Sequence, residues 1–193
     1  MKICILTPRF PFPEDGGDVL RINNICRYLK SKGHTLVLVS FHVGKQKRLV
    51  LSEQIYDKVY KVKHSKIISV INSMFALIIN KPIQTGYYFS FSYLSMFKKV
   101  IEIEKPDLYI SHLIRMVQYL SFCHMQGKSI IELTDALSKT YGLVNRSRKL
   151  SLKNIVYKIE RKRVEKYEMK IIKTYKKCVL VSEADKRFLG GEL

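Results

Sequence analysis

The chain opens on a strand, a helix and a second strand, and this opening constrains its fold more than any other feature. Lys2 to Thr7 (KICILT) is a short apolar run stopped by Pro8, as expected of a buried parallel strand. Val19, Ile22, Cys26 and Leu29 recur at spacings of three and four, which predicts a helix over Val19 to Lys32 with Gly33 at its C-cap. Thr35 to Phe41 (TLVLVSF) is a second apolar run. Two buried strands joined by a helical crossover belong in a parallel sheet.

The same alternation carries on along the chain. Lys58 to Val62, Asp107 to Ser111, Ser129 to Leu133 and Cys178 to Val181 read as strands. Tyr93 to Glu104, Arg115 to Met125 and the long basic stretch Leu152 to Lys173 read as helices. The expected fold is therefore α/β: a doubly wound, mostly parallel, Rossmann-like sheet forming one domain over residues 1–193. Ile67 to Ile79 (IISVINSMFALII) is too short to span a bilayer and is interrupted by Asn72 and Ser73. It reads as a buried or amphipathic helix, or as a membrane-surface helix flanked by Lys61, Lys63, Lys66 and Lys81.

Charge is the compositional outlier, at +19 over 193 residues. Between Lys139 and Lys177, fourteen basic residues face Glu160, Glu165 and Glu168 alone, a net of +11. Such a field favours an anionic partner: nucleic acid, anionic lipid or a phosphorylated substrate. No h-region of a secretory leader follows Lys2, so a cytoplasmic protein is expected. Cys4, Cys26, Cys123 and Cys178 are scattered, without the C-x-x-C or neighbouring His of a zinc site, and read as buried thiols in a reducing compartment.

The loop Pro8 to Asp18 (PRFPFPEDGGD) follows the first strand, at the strand end where α/β folds place ligands. Gly16 and Gly17 lack the Cβ atoms that keep a ligand from the backbone, and the next helix offers free amides to an anion, with Asp18 as its N-cap. The pattern is neither G-x-G-x-x-G nor a P-loop, and two glycines after three prolines also make an ordinary turn. In the long basic helix, Glu160 and Arg163 fall on an otherwise apolar stripe (Leu152, Val156, Ile159, Tyr167, Ile171). At i, i+3 they are expected to pair as a structural contact.

The opening KICILTPRFPFPEDGGDVLRINNICRYLKSKGHTLVLVSF resembles the N-terminus of family 4 (group 1) glycosyltransferases of the GT-B fold. Gly33 and His34 match the Gly-His that precedes the family's second strand. ELTDALSKTYG (Glu132 to Gly142), the helix with Glu160 and Tyr167-Glu168, and VLVSEADKRFL (Val179 to Leu189) resemble the segments closing the family's N-terminal domain. Residues 42 to 105 carry no diagnostic likeness.

The resemblance implies the acceptor-binding half of a two-domain, metal-independent, cofactor-free retaining transferase. Its nucleotide-sugar donor would be held mainly by a C-terminal domain that this chain lacks. The chain would then bind donor weakly and be inactive alone. By motif, Gly16 and Gly17 would approach the donor diphosphate, with Arg9 as a further phosphate contact. His112 would sit near the transferred sugar as the catalytic candidate. Asp135, Arg115, Ser182 and Glu183 would face the acceptor. Each has a plainer alternative: His112 as a bonded loop histidine, Asp135 and Ser182 as N-caps, Arg9 and Arg115 as solvated cations.

The leading expectation is transfer of sugar to a lipid-linked or polysaccharide acceptor in cell-surface glycan synthesis, with peripheral contact to the anionic inner face of the cell membrane. The chief alternative is a non-catalytic basic module for membrane headgroups or RNA. The interleaved aromatic and basic signature of common RNA modules is missing, so no specific nucleic acid is expected. A nucleotide-sugar epimerase on the same fold is a third reading.

Overall fold

The computed structural model describes residues 1–42, 54–144 and 152–190, with the backbone alone for 143–144 and 152–156. Six strands form one parallel sheet: β1 (Lys2–Thr7), β2 (Thr35–His42), β3 (Lys58–Lys63), β4 (Leu108–His112), β5 (Ser129–Thr134) and β6 (Cys178–Leu180). Their spatial order is β3-β2-β1-β4-β5-β6. The chain thus winds outward one way from β1 and then the other way from β4, as in a Rossmann-like doubly wound fold.

The pleat decides which side chains meet which helices. On β1, Ile3 and Ile5 face one cluster, shared with Ile22 and Cys26 of helix α1 (Gly17–Ser31). Cys4 and Leu6 face the other. There they meet Tyr93, Phe97 and Val100 of α4 (Phe91–Glu104), Tyr119 of α5 (Val117–Phe122) and Ile171 of α7 (Leu152–Thr174). Both faces are covered, which is why β1 and β2 read as unbroken apolar runs. Two further helices, α6 (Leu137–Val144) and α8 (Glu183–Phe188), follow β5 and β6.

Several expectations shift. The helix expected over Arg115 to Met125 is a 3-10 turn (Ile114–Met116) leading into α5, which ends before Gly127 because His124 takes the left-handed position at φ 56°. A short helix, α3 (Ile83–Tyr87), follows Pro82 and has no sequence signal long enough to announce it. On α7 the buried face runs through Glu160, Val164, Glu168 and Ile171, whereas Ile159 is half exposed. The side chains of Leu152 and Val156 lie outside the described residues. Glu160 and Arg163 form the expected i, i+3 ion pair, at 4.0 Å and without a hydrogen bond. Glu160 also accepts a hydrogen bond from the Ile83 amide at the start of α3 (2.6 Å), and Arg163 donates to Asn80 Oδ1 (2.9 Å).

The apolar stretch after β3 is helix α2 (Lys66–Ile78), and its orientation is inverted. Ser69 and Ala76 are buried, with Asn72 and Ser73 half buried beside them. Ile67, Ile71, Met74, Phe75 and Ile78 point away from the protein, each more than half exposed. The inward face is fixed by polar contacts: Ser69 Oγ with His64 Nε2 at 2.8 Å, and Asn72 Nδ2 donating to the Phe89 carbonyl at 3.1 Å. Among the described residues no helix is long and apolar enough to cross a membrane.

Candidate functional site

The sheet reverses its winding between β1 and β4, and a crevice at the carboxyl ends of such strands is where open α/β sheets take ligands. The loop after β1 is anchored there before any ligand arrives. Phe10 and Phe12 are buried in the α1-side cluster. Asn23 of α1, wholly buried, donates to the Pro11 carbonyl and to Glu14 Oε1, both at 2.7 Å, and accepts from Tyr56 Oη at 2.9 Å. Aromatic, proline and buried-amide contacts together fix the loop's path.

Gly16 is the N-cap of α1, with extended backbone and no side-chain cap, so the helix starts two residues before Val19 and Asp18 lies in its first turn. This corrects the expected capping role of Asp18. A Cβ on Gly16 would lie 2.4 Å from Arg9 Nη2 and 2.9 Å from Asp18 Oδ1, whereas one on Gly17 would meet nothing within 4 Å. The space over Gly16 is thus filled by the protein's own Arg9. That guanidinium is held by Asp18 (2.5 Å) and Asp15 (3.2 Å). Burial acts to raise the Asp18 carboxyl, but the hydrogen bond and charge of Arg9 outweigh it and hold the group below its usual range. A carboxylate therefore already occupies the anion-favouring helix start, and a diphosphate binding there has to displace Asp18 from Arg9.

One turn further along α1 stands a second cluster, on the same face of the sheet. His112 and Glu132 are paired in register at the ends of β4 and β5, so their side chains emerge side by side. His112 Nδ1 lies 2.5 Å from Glu132 Oε2, both side chains being 98% buried. Arg21 Nε lies 2.6 Å from Glu132 Oε1, an ion pair without hydrogen-bond alignment, and Thr134 Oγ1 donates to the same oxygen at 2.8 Å. Burial pushes the Glu132 carboxyl up, but the His112 contact, Thr134 and Arg21 more than reverse this and leave it lowered. An ionised Glu132 accepts from Nδ1–H, which leaves His112 Nε2 to present a lone pair, or a proton when the ring is charged.

That Nε2 is buried and has no hydrogen-bond partner among the described residues, and the same holds for Thr7 Oγ1 at the end of β1. Unsatisfied buried polar atoms are uncommon in folded proteins. Backbone strain falls at the same place. Leu113 (φ 68°) and Thr134 (φ 65°), each immediately after a member of the His112–Glu132 pair or one residue removed, adopt a region that side chains other than glycine disfavour by about 1–3 kcal/mol. A positive charge on His112 would act to lower the Asp18 carboxyl too, so the two clusters share one electrostatic environment.

The remaining candidates lie on the flanks. Arg115 is in the turn after β4, with its guanidinium 5.0 Å over the Tyr88 ring and its Nε buried without a partner among the described residues. Asp135 is exposed after β5. Capping of α6 does not fall to it: Glu168 accepts from the Leu137 amide at 2.7 Å. Ser182 is the N-cap of α8, accepting from the Asp185 amide at 3.1 Å and donating to Asp185 Oδ2 at 2.9 Å, so its hydroxyl is engaged in the cap. Glu183 is exposed in the first turn of that helix.

Sequence reasoning missed Glu132, Arg21 and Thr134. The signal for Glu132 was present: a glutamate inside the strand SIIELT must be buried, and a buried carboxylate needs a partner. No such signal marks Arg21, whose partner is known only once β5 is placed beside β4. A scan of the chain against family models gives no match, and a search of curated proteins gives none.

Proposed function

We propose that this chain is the acceptor-side domain of a sugar-transferring enzyme of the GT-B type, with His112 as the group that meets the sugar. The observation that carries the reading is the buried His112 Nε2, without a hydrogen-bond partner among the described residues at the switch point while Glu132 tethers the other ring nitrogen. An imidazole fixed in this way is suited to orienting a sugar hydroxyl, taking or returning its proton as needed. The winding order and the likeness of the opening segment to family 4 glycosyltransferases support it.

In the reaction, the bond from the sugar's anomeric carbon to a phosphate oxygen breaks and a bond to an acceptor hydroxyl oxygen forms. The nucleoside diphosphate leaves with the bonding pair, and the hydroxyl proton goes to that departing oxygen. The start of α1 and Arg9 supply positive potential for the leaving group once Asp18 is displaced. A second, nucleotide-binding domain contributes most of the donor affinity. The acceptor is a lipid-linked or polysaccharide glycan, and the domain works on the cytoplasmic face of the membrane.

The test is an amide-shift titration of the chain with nucleoside diphosphate sugars. Weak binding, on the order of millimolar, with shifts confined to Gly16–Arg21 and the ends of β4 and β5, is expected, and His112→Ala should abolish them. Shifts elsewhere, or none, would refute the site. Micromolar binding would refute the division of labour between two domains.

A further inference from the structure

Helix α2 wears its apolar side outward. At about 100° per residue, Ile67, Ile71, Met74, Phe75 and Ile78 cluster on one face, exposed by 59 to 79%. Val70 and Leu77 extend that face on one flank and Ile68 on the other. Together these side chains leave on the order of 900 Å² of apolar surface open, well beyond the roughly 300–600 Å² of the largest patch on an ordinary monomer. The inversion is built in. Ser69, Ser73 and Ala76 are small enough to let α3 approach, and Gly86 of α3 packs so closely that a Cβ there would lie 2.4 Å from the Asn72 carbonyl oxygen. Small and polar residues face the protein, so the large apolar ones must face outward.

The surroundings of the face are cationic. Lys63, Lys66 and Lys81 are exposed just before, at and just after the helix. Lys61 is not part of this rim, since its ammonium sits over the Phe10 ring at 3.8 Å. Beside the far end of α2 lies a groove of about 370 Å³ bordered by Lys81, Arg163, Lys166 and Lys170, with no carboxylate among its lining residues. Arg163 ties this groove to α2 by donating to the Leu77 carbonyl at 3.3 Å.

We infer that α2 docks the protein on an anionic bilayer, its apolar face entering the acyl boundary while Lys66, Lys81, Lys166 and Lys170 meet headgroup phosphates. An apolar helix face rimmed by lysines is the arrangement that binds in the plane of a membrane interface. A second copy of the chain fits less well, because it would bring a charge of +19 against +19. The inference stands on α2 and the lysines around it, on α7 as well as beside α2, without the site. Only its consequence, that the acceptor is presented at a bilayer, rests on the transfer reading.

The chain has no tryptophan, so Phe75→Trp places a single indole on the apolar face. With phosphatidylcholine vesicles containing about 30 mol % phosphatidylglycerol, the indole emission should shift to the blue, and co-flotation should be at least about tenfold stronger than with phosphatidylcholine alone. Raising salt from about 0.1 M to 1 M should weaken binding by a similar factor. Ile71→Ser with Phe75→Ser, at exposed positions, should keep the circular dichroism of the parent and lose at least about tenfold in vesicle binding. Lys166→Ala with Lys170→Ala should lose most of the salt dependence. No association at low salt, equal binding to neutral vesicles, or unchanged binding by the serine variant would each overturn the inference. Concentration-dependent dimerisation that the serine variant abolishes, without vesicle binding, would assign the face to a second copy instead.

Discussion

At the pole of the sheet opposite the site, the polar groups are closed on one another, and Glu104 at the end of α4 holds them. Its carboxylate, 1% exposed, accepts from Lys58 Nζ (2.8 Å), Tyr60 Oη (2.6 Å) and Lys2 Nζ (3.3 Å), tying α4 to β1 and β3. The Lys58 and Tyr60 hydrogen bonds outweigh burial and lower the carboxyl from 4.5 to about 2. A depressed carboxyl stabilises the fold fully above its unfolded value and loses that contribution as the pH falls from about 4.5 to about 2. At about 1.4 kcal/mol per pH unit the contribution is about 3 kcal/mol at neutral pH. That is an upper figure, because Lys58 is more than half exposed and keeps much of its hydration. Glu104→Gln should therefore cost about 2–3 kcal/mol at pH 7, a fall of roughly 5–10 °C in Tm for a domain of this size. Urea unfolding of both proteins at pH 7, 5 and about 3 measures it. The gap between them should be nearly full at pH 7 and pH 5, fall to roughly half by about pH 3, and close only near pH 2. Equal stabilities at pH 7, or a gap that persists unchanged into acid, would refute the reasoning.

Other expectations follow from single contacts. Gly86→Ala would set a Cβ 2.4 Å from the Asn72 carbonyl oxygen and 2.7 Å from Ala76 Cβ. It should cost about 1–3 kcal/mol by thermal unfolding, whereas Gly17→Ala, which meets nothing, should stay within about 0.5 kcal/mol. Glu168→Ala removes the acceptor of the Leu137 amide and the Ser138 hydroxyl. A loss of about 2–3 kcal/mol is expected, with faster hydrogen exchange at Leu137 and Ser138. Burial pushes the Cys26 thiol up to about 12 and raises Cys4 further, with Glu104 adding to the latter. Neither thiol should react with iodoacetamide at pH 8 until urea unfolds the chain, as mass mapping of the alkylated residues would show.

The strands were legible because a parallel sheet covered on both faces demands apolar runs, and KICILT and TLVLVSF have no other good use. The end of α1 was legible for a local reason: Gly33 sits at φ 78°, where a side chain is strained. What depends on neighbours distant in sequence was not legible. Periodicity shows that α2 is a helix but places its apolar face inward by default, and only the packing of Gly86 against Asn72 reveals the inversion. Similarly, Asp135 and Glu160 looked like residues with local partners, while the contacts that matter run from α7 to the starts of α3 and α6. The candidate site was half visible. The loop with Gly16 announces itself by position after a strand and His112 by position at the end of one, whereas the Arg21–Glu132–His112 chain exists only because β4 and β5 are neighbours in register.

The central claim is that Glu132 fixes the His112 ring so that Nε2 faces a ligand at the switch point between β1 and β4. Long-range proton–nitrogen correlation of the five histidine rings reads this directly, with His34, His42, His64 and His124 as internal controls. In the free protein, the neutral form of the His112 ring should carry its proton on Nδ1, and Glu132→Gln should disturb that preference. Adding a nucleoside diphosphate sugar should then move the His112 Nε2 resonance and leave the other rings in place. A neutral ring carrying its proton on Nε2 in the free protein, or a Nε2 resonance indifferent to the ligand, would contradict the claim.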